Sequence, residues 1–261
     1  MSSHPLYQGF PVQIINPYPL GGVIVVGKGS QHLVLHNLNT DQSISSVFRG
    51  NATLTGYELP EGVNFDEVEE AEDAFAECPL LEGFREGVSF RCLKKGKEMF
   101  KNCGQLSYLP STITLDELED GQSMFENCNS LKSLPEGTTL RNVKNVNCMF
   151  ANCKLLRNIP DSLDLANVHR SQFLWQHHQM FSGCYLTAQS VKNVLNALPK
   201  VEEKLNFDIG STHNDTEYDP DPVDWRNDEE IAAMLNTTTP IDIHRSNYYD
   251  IDKGWRIYID G

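Results

Sequence analysis

Three consecutive stretches decide the reading of this chain: MFKNCGQLSYLPSTITLDELEDGQS from Met99 to Ser123, MFENCNSLKSLPEGTTLRNVKNVNC from Met124 to Cys148, and MFANCKLLRNIPDSLDLANV from Met149. They align without a gap. A weaker copy, AFAECPLLEGFREGVSFRCLKKGKE, starts at Ala74, and a fifth start, MFSGCYL, opens at Met180. Phe75, Phe100, Phe125 and Phe150 lie 25 residues apart, and Phe181 follows Phe150 by 31, an insertion of six. Phe48, 27 residues before Phe75, marks a degenerate first unit. A period of this length is the mark of stacked units, because a lone unit of this size cannot hide its own apolar side chains.

Each recurring position has a physical reading. Phe and Cys three apart in Met-Phe-x-Asn-Cys predict one face of a short helical turn. Leu106, Leu131 and Leu156 come six after their Phe, and Leu109, Leu134 and Ile159 come nine after. Pro110, Pro135 and Pro160 follow at once and predict the end of a short strand, where a missing N–H is tolerable. Further apolar positions come at fifteen (Phe90, Leu115, Leu140, Leu165) and eighteen (Leu93, Leu118, Val143, Val168). Burying each such side chain is worth roughly 1.5–3 kcal/mol, so stacking supplies a gross gain on the order of 10 kcal/mol per unit.

The frame resembles the BspA-type leucine-rich repeat family, whose units read roughly MFxxCxxLxxL…LxxV, and the likeness covers residues 47–186. The resemblance implies an α+β repeat solenoid, leucine-rich-repeat-like, of about five units. The expected division is a β-rich anchoring or capping segment over 1–46, the solenoid over 47–186 and an α+β cap over 187–261.

The repeat accounts for the cysteines. Cys78, Cys103, Cys128, Cys153 and Cys184 each fall three residues after a marker Phe and predict a buried structural ladder of small apolar thiols. Cys92 and Cys148 fall outside it. The total of seven is odd, and no pair has the short spacing of a zinc knuckle or redox motif. A chain opening without a secretory leader is expected to stay reduced.

Charge narrows the partners. With 21 basic and 36 acidic residues the formal net charge is −15, which repels phosphate backbones and anionic lipid, and no basic stripe offsets it. Nucleic acid is therefore not an expected partner. No run approaches the length of a bilayer span, so membrane insertion is not expected either.

In the flanks, Val12–Ile15, Gly22–Val26 and His32–Leu38 read as strands. Thr187 is placed to cap a helix whose Val191, Val194, Leu195 and Leu198 form one stripe, stopped near Pro199. Lys204–Ile209 and Gly254–Ile259 read as strands, and Asp228–Leu235 as a short helix with acids in its first turn. This order, closing on Lys-Gly-Trp, is similar to the ends of BspA-type proteins of phage tails.

Three segments are candidate sites. The insertion from His169 to Gln179 carries Phe173, Trp175, His177 and His178, which read as contact anchors on a loop or as rings folded back on the core. Asp219, Asp221 and Asp224 lie in an acidic loop that reads as solvated or, alternatively, as a calcium site without EF-hand spacing. A second acidic run, Glu58 to Glu82, holds ten acids and no base. No catalytic triad order, nucleotide loop or HExxH appears, so neither an enzyme nor a cofactor is expected. The resemblance implies a binding or structural protein of a virion, in contact with other virion proteins or a host-surface protein or glycan, and open to homo-oligomerisation. The alternative is a bacterial surface adhesin or a secreted effector acting as a protein-interaction module, at the bacterial cell surface or in the cytoplasm.

Overall fold

A computed structural model describes residues 43–57, 65–168, 179–202, 205–211, 224–241 and 247–260, together with the backbone of 12–14, 25–27 and 33–34. Near the N-terminus β1 (Val12–Ile14), β2 (Val25–Gly27) and β3 (Leu33–Val34) form an antiparallel sheet in that order. After the repeated units come α1 (Ala188–Ala197), β4 (Leu205–Ser211), α2 (Glu229–Met234), β5 (Asn247–Asp250) and β6 (Trp255–Asp260). The last three strands make a mixed sheet ordered β4-β6-β5, with β4 parallel to β6 and β5 antiparallel to it.

The structure overturns the expected α+β leucine-rich-repeat solenoid. Among the described residues the two helices and the mixed three-stranded sheet all lie after Leu186, and 43–168 carry no α-helix and no strand of a sheet. The two local expectations inside the unit fail for identifiable reasons. The Met-Phe-x-Asn-Cys segment is not helical because Asn102, Asn127 and Asn152 take φ of 63°, 63° and 61°, left-handed values that end any right-handed turn. The prolines do not end strands. Each opens a turn instead, with Ile113, Thr138 and Leu163 donating their N–H to the carbonyls of Pro110, Pro135 and Pro160 at 2.9, 3.1 and 3.3 Å.

The repeated sequence forms consecutive turns that bond alternately inward and onward. Gly96, Glu98, Phe100 and Asn102 donate their N–H groups 24 residues ahead, to the carbonyls of Asp120, Gln122, Met124 and Glu126 at 2.8–2.9 Å. The residues between them bond locally: Met99, Lys101 and Cys103 donate three residues back, to Gly96, Glu98 and Phe100. This alternation satisfies the backbone without helix or sheet. It requires left-handed φ at Glu98 and Asn102, and the same pair of positions is left-handed at Asp73 and Glu77, and at Ser123 and Asn127.

The side chains follow the same register. The rings of Phe48, Phe75, Phe100, Phe125, Phe150 and Phe181 stack in one buried column, with successive centroids 4.8, 5.4, 5.3, 5.2 and 5.5 Å apart. A second stack pairs Phe65 with Phe90 at 4.7 Å, and Leu115, Leu140 and Leu165, which hold the Phe90 offset in the later units, are buried. Ion pairs bridge neighbouring units on the surface, such as Lys94–Glu69 at 2.9 Å and Lys144–Glu119 at 2.6 Å. Their exposure to water and salt makes each a minor contribution to stability.

Helix α1 closes the far end of these turns. Thr187 caps it by accepting from the Ser190 N–H at 3.3 Å, and its buried face is Ser190, Val191, Val194 and Leu195. Lys253 donates to the carbonyls of Leu195, Asn196 and Leu198 at 3.1, 2.7 and 2.8 Å, which satisfies orphan acceptors at the helix C-terminus. Gly254 must be glycine: its φ is 88°, and a Cβ there would sit 2.3 Å from the Val201 carbonyl oxygen. Trp255 then buries its ring and donates Nε1–H to the Pro199 carbonyl at 2.7 Å. The Lys253-Gly254-Trp255 segment is thus a clasp that holds β6 against the helix end.

Candidate functional site

A groove of about 460 Å³ opens across three consecutive units, lined at positions seven to eleven after the marker phenylalanines of residues 100, 125 and 150. Its floor is apolar, formed by buried Leu109, Leu134 and Ile159. Its rim is polar and carries Tyr108, Ser133, Glu136 and Asn158, all exposed. The volume lies in the range of small-ligand sites.

The groove exists because the units part at this point. Ser107 donates its N–H to the Glu82 carbonyl at 2.9 Å, and Arg157 donates to the Lys132 carbonyl at 3.0 Å, so each bonds to the unit before it. Ser133 and Asn158 are accordingly paired by a parallel bridge. Between the 107–108 segment and the 132–133 segment no such backbone bond occurs among the described residues, and the surface is open there.

Both ends of the groove are defined. At one end Tyr108, 43% exposed, donates its hydroxyl to the Glu86 carboxylate, a bond that pushes the phenol pKa up and fixes the ring. Gly83 lies under it, and a Cβ at that position would meet the Tyr108 carbonyl oxygen at 2.7 Å. At the other end α1 takes over the bonds a further unit would make: Ile159 donates its N–H to Ser190 Oγ at 2.9 Å, and Asn193 donates to the Ile159 carbonyl at 2.8 Å. Between these stops, the Ser133 hydroxyl, the Asn158 amide and the Glu136 carboxylate make no hydrogen bond or ion pair with another described residue. The lining contains no His and no Cys. It can present hydrogen bonds and an aromatic surface to a ligand.

Phe173, Trp175, His177 and His178 lie outside the described residues, as do Asp219 and Asp221. Asp224 is described and pairs with Arg226, whose Nε donates to Asp224 Oδ1 at 2.9 Å. Among the described residues no three His, Cys, Asp or Glu side chains come together to hold a metal ion.

Cys78, Cys103, Cys128, Cys153 and Cys184 are fully buried, and all seven cysteines are free thiols. Each of the five donates Sγ–H to the carbonyl of the marker Phe one unit earlier, at 3.0–3.1 Å. Burial raises the pKa of Cys78 to about 11, of Cys103 and Cys153 to about 12, and of Cys128 well above the ordinary value, so these four are neutral donors. Cys148 belongs to a different position. Its φ is 55°, its Sγ lies 3.7 Å from Gln179 Oε1, and burial pushes its thiol up as well.

The groove escaped the sequence reading because its rim sits at an offset of the unit where every copy differs. The only signal was that Tyr108, Ser133 and Asn158 share the eighth position after their Phe, between two apolar positions that hardly vary. No helix among the described residues is long and apolar enough to cross a membrane. No family model matches the chain, and no curated protein or solved structure matches it.

Proposed function

We propose that this chain is a non-enzymatic binding protein, a phage virion or receptor-binding component that contacts a host-surface protein or glycan, or a neighbouring virion protein. The observation that carries the binding reading is the three-unit groove, whose rim offers the Ser133, Asn158 and Glu136 side chains, bonded to no other described residue, beside an exposed aromatic ring. Such a surface recognises a ligand by shape and hydrogen bonding. The virion setting rests on the sequence likeness of the repeat and of the closing strand order to phage tail proteins. The net charge of −15 disfavours nucleic acid as the partner.

The test is co-sedimentation of the purified chain with phage particles and with cells of the source culture, alongside a Ser133→Trp variant that fills the groove. Binding by the native chain and its loss in the variant is the expected result. Sedimentation with neither particles nor cells overturns the reading. Binding to cells with no trace of the chain in purified particles moves it to a surface adhesin or effector.

A further inference from the structure

Resting on that binding reading, we infer that the groove takes an extended, neutral carbohydrate chain, with about one sugar ring per unit across its three units. The first argument is spacing. The stacked Phe100, Phe125 and Phe150 rings advance by 5.3 and 5.2 Å from unit to unit in the core, and the parallel bridge carries that register to the rim at Ser133 and Asn158. A pyranose in an extended, equatorially linked chain advances by about the length of one ring, which is close to this repeat. An extended peptide rises about 3.3 Å per residue, so its same-side side chains recur roughly every 6.6 Å and lose register by about 1 Å per unit.

The second argument is the chemistry of the rim. Ser133 offers a hydroxyl and Asn158 an amide, one unit apart and bridged in parallel, with Glu136 as an acceptor beside them. Hydroxyl, amide and carboxylate together both donate to and accept from the hydroxyls of a sugar. Tyr108 at the closed end is an aromatic ring of fixed position, held by its bond to Glu86, against which the apolar face of a terminal sugar can rest. The third argument is charge. The groove presents Glu136 and no cationic side chain among its lining residues, and the chain is strongly acidic, so uronate- or sulfate-bearing chains are repelled. The fourth is length. The lining runs from Ser107 and Tyr108 to Asn158 and Pro160, so it spans three units.

The experiment is calorimetric titration of the full chain with neutral oligomers of glucose and of N-acetylglucosamine, from dimer to hexamer, against a guluronate hexamer as the anionic control. Affinity is expected to rise to the trimer or tetramer and then level off, with no binding of the anionic control. Ser133→Trp and Asn158→Leu should each weaken binding by about tenfold or more while the thermal midpoint holds. The inference is overturned if no neutral oligomer binds, or if Ser133→Trp folds and binds them unchanged. A chain that co-sediments with cells through Ser133, yet binds no oligomer and is indifferent to periodate oxidation of the cell surface, sinks the carbohydrate and leaves the binding reading standing. Oligomer binding without any co-sedimentation sinks the virion setting and leaves the carbohydrate.

Discussion

Cys128 donates its thiol proton to the backbone carbonyl of Phe100, 3.1 Å away and 28 residues earlier in the chain. The same bond recurs from Cys103 to Phe75 and from Cys153 to Phe125, so the thiols tie each unit to the one before it through the same carbonyl. The Phe100 carbonyl also accepts the Cys103 N–H at 3.1 Å. A thiol fits this place because it is small, apolar and a weak donor in a site closed to water.

Thiol reactivity follows from that burial. In the folded chain Cys92 is exposed and Cys148 half-buried, while Cys78, Cys103, Cys128, Cys153 and Cys184 are closed off. A thiol-reactive dye is expected to label Cys92 fast and Cys148 slowly, and to reach the other five only in denaturant. Mass spectrometry of labelled peptides checks it. Rapid native labelling of Cys103 or Cys128 would show that the column is open to solvent.

Alkaline pH should weaken the fold in a defined window. Burial holds Cys78 at about 11 and Cys103 and Cys153 at about 12, against an ordinary value of 9.0, and Cys128 is raised well above that value. Because the folded values are raised, the stabilisation is complete below pH 9 and is lost as pH climbs towards 11–12, where the unfolded chain alone gives up protons. Each thiol contributes a slope of about 1.4 kcal/mol per pH unit inside that window. Between pH 9 and 10 Lys94 and Lys95, raised above the ordinary 10.5 by their pairs with Glu69 and Glu70, stay largely charged. Urea unfolding at pH 8, 9.5 and 10.5 in reductant should show a midpoint that falls steadily, and an unchanged midpoint would remove the buried neutral thiols from the account.

Some of this was visible in the sequence and some was not. The 25-residue period and the phenylalanine column were plain from Phe75, Phe100, Phe125 and Phe150, because apolar residues at a fixed interval must share a surface. Helix α1 was readable from Thr187 and the Val191, Val194, Leu195 stripe, where local capping and periodicity agree. The conformation of the unit was not readable. Phe and Cys three apart suit a helical turn and also the tighter turn that the structure has, and only the left-handed Asn between them decides, through bonds to residues 24 positions ahead. Strand β5 passed unnoticed, since Asn247–Asp250 is polar and acquires its pairing from β6 alone. The groove depends on two segments failing to bond, which no local pattern encodes.

Asn127 is the position where backbone and side chain can be separated. It is left-handed at φ 63°, its Nδ2 donates to Asn102 Oδ1 at 2.8 Å, and its own Oδ1 accepts from Asn152 Nδ2 at 3.0 Å. Asn127→Gly keeps the backbone conformation and loses the amide pair. Asn127→Ala loses both, and the left-handed penalty is about 1–2 kcal/mol. Chemical denaturation should rank the native chain first, the glycine variant second and the alanine variant last. An alanine variant as stable as the glycine variant would rule out left-handed strain as the reason for Asn here.

The Lys253 clasp yields the last expectation. Its Nζ reaches the carbonyls of Leu195, Asn196 and Leu198, and burial holds its pKa below the ordinary lysine value. Lys253→Met keeps the length and apolar stem of the side chain but leaves three acceptors at the end of α1 without their shared donor. The cost is expected to be about 1–3 kcal/mol. The loss should be local, because the clasp joins α1 to β6 and touches no unit before Leu186. Hydrogen exchange is therefore expected to quicken in the last turn of α1 and in β6, while the Phe100, Phe125 and Phe150 amides keep their protection. Faster exchange spread evenly over the repeated units would instead show that this end and the stacked turns unfold as one cooperative body.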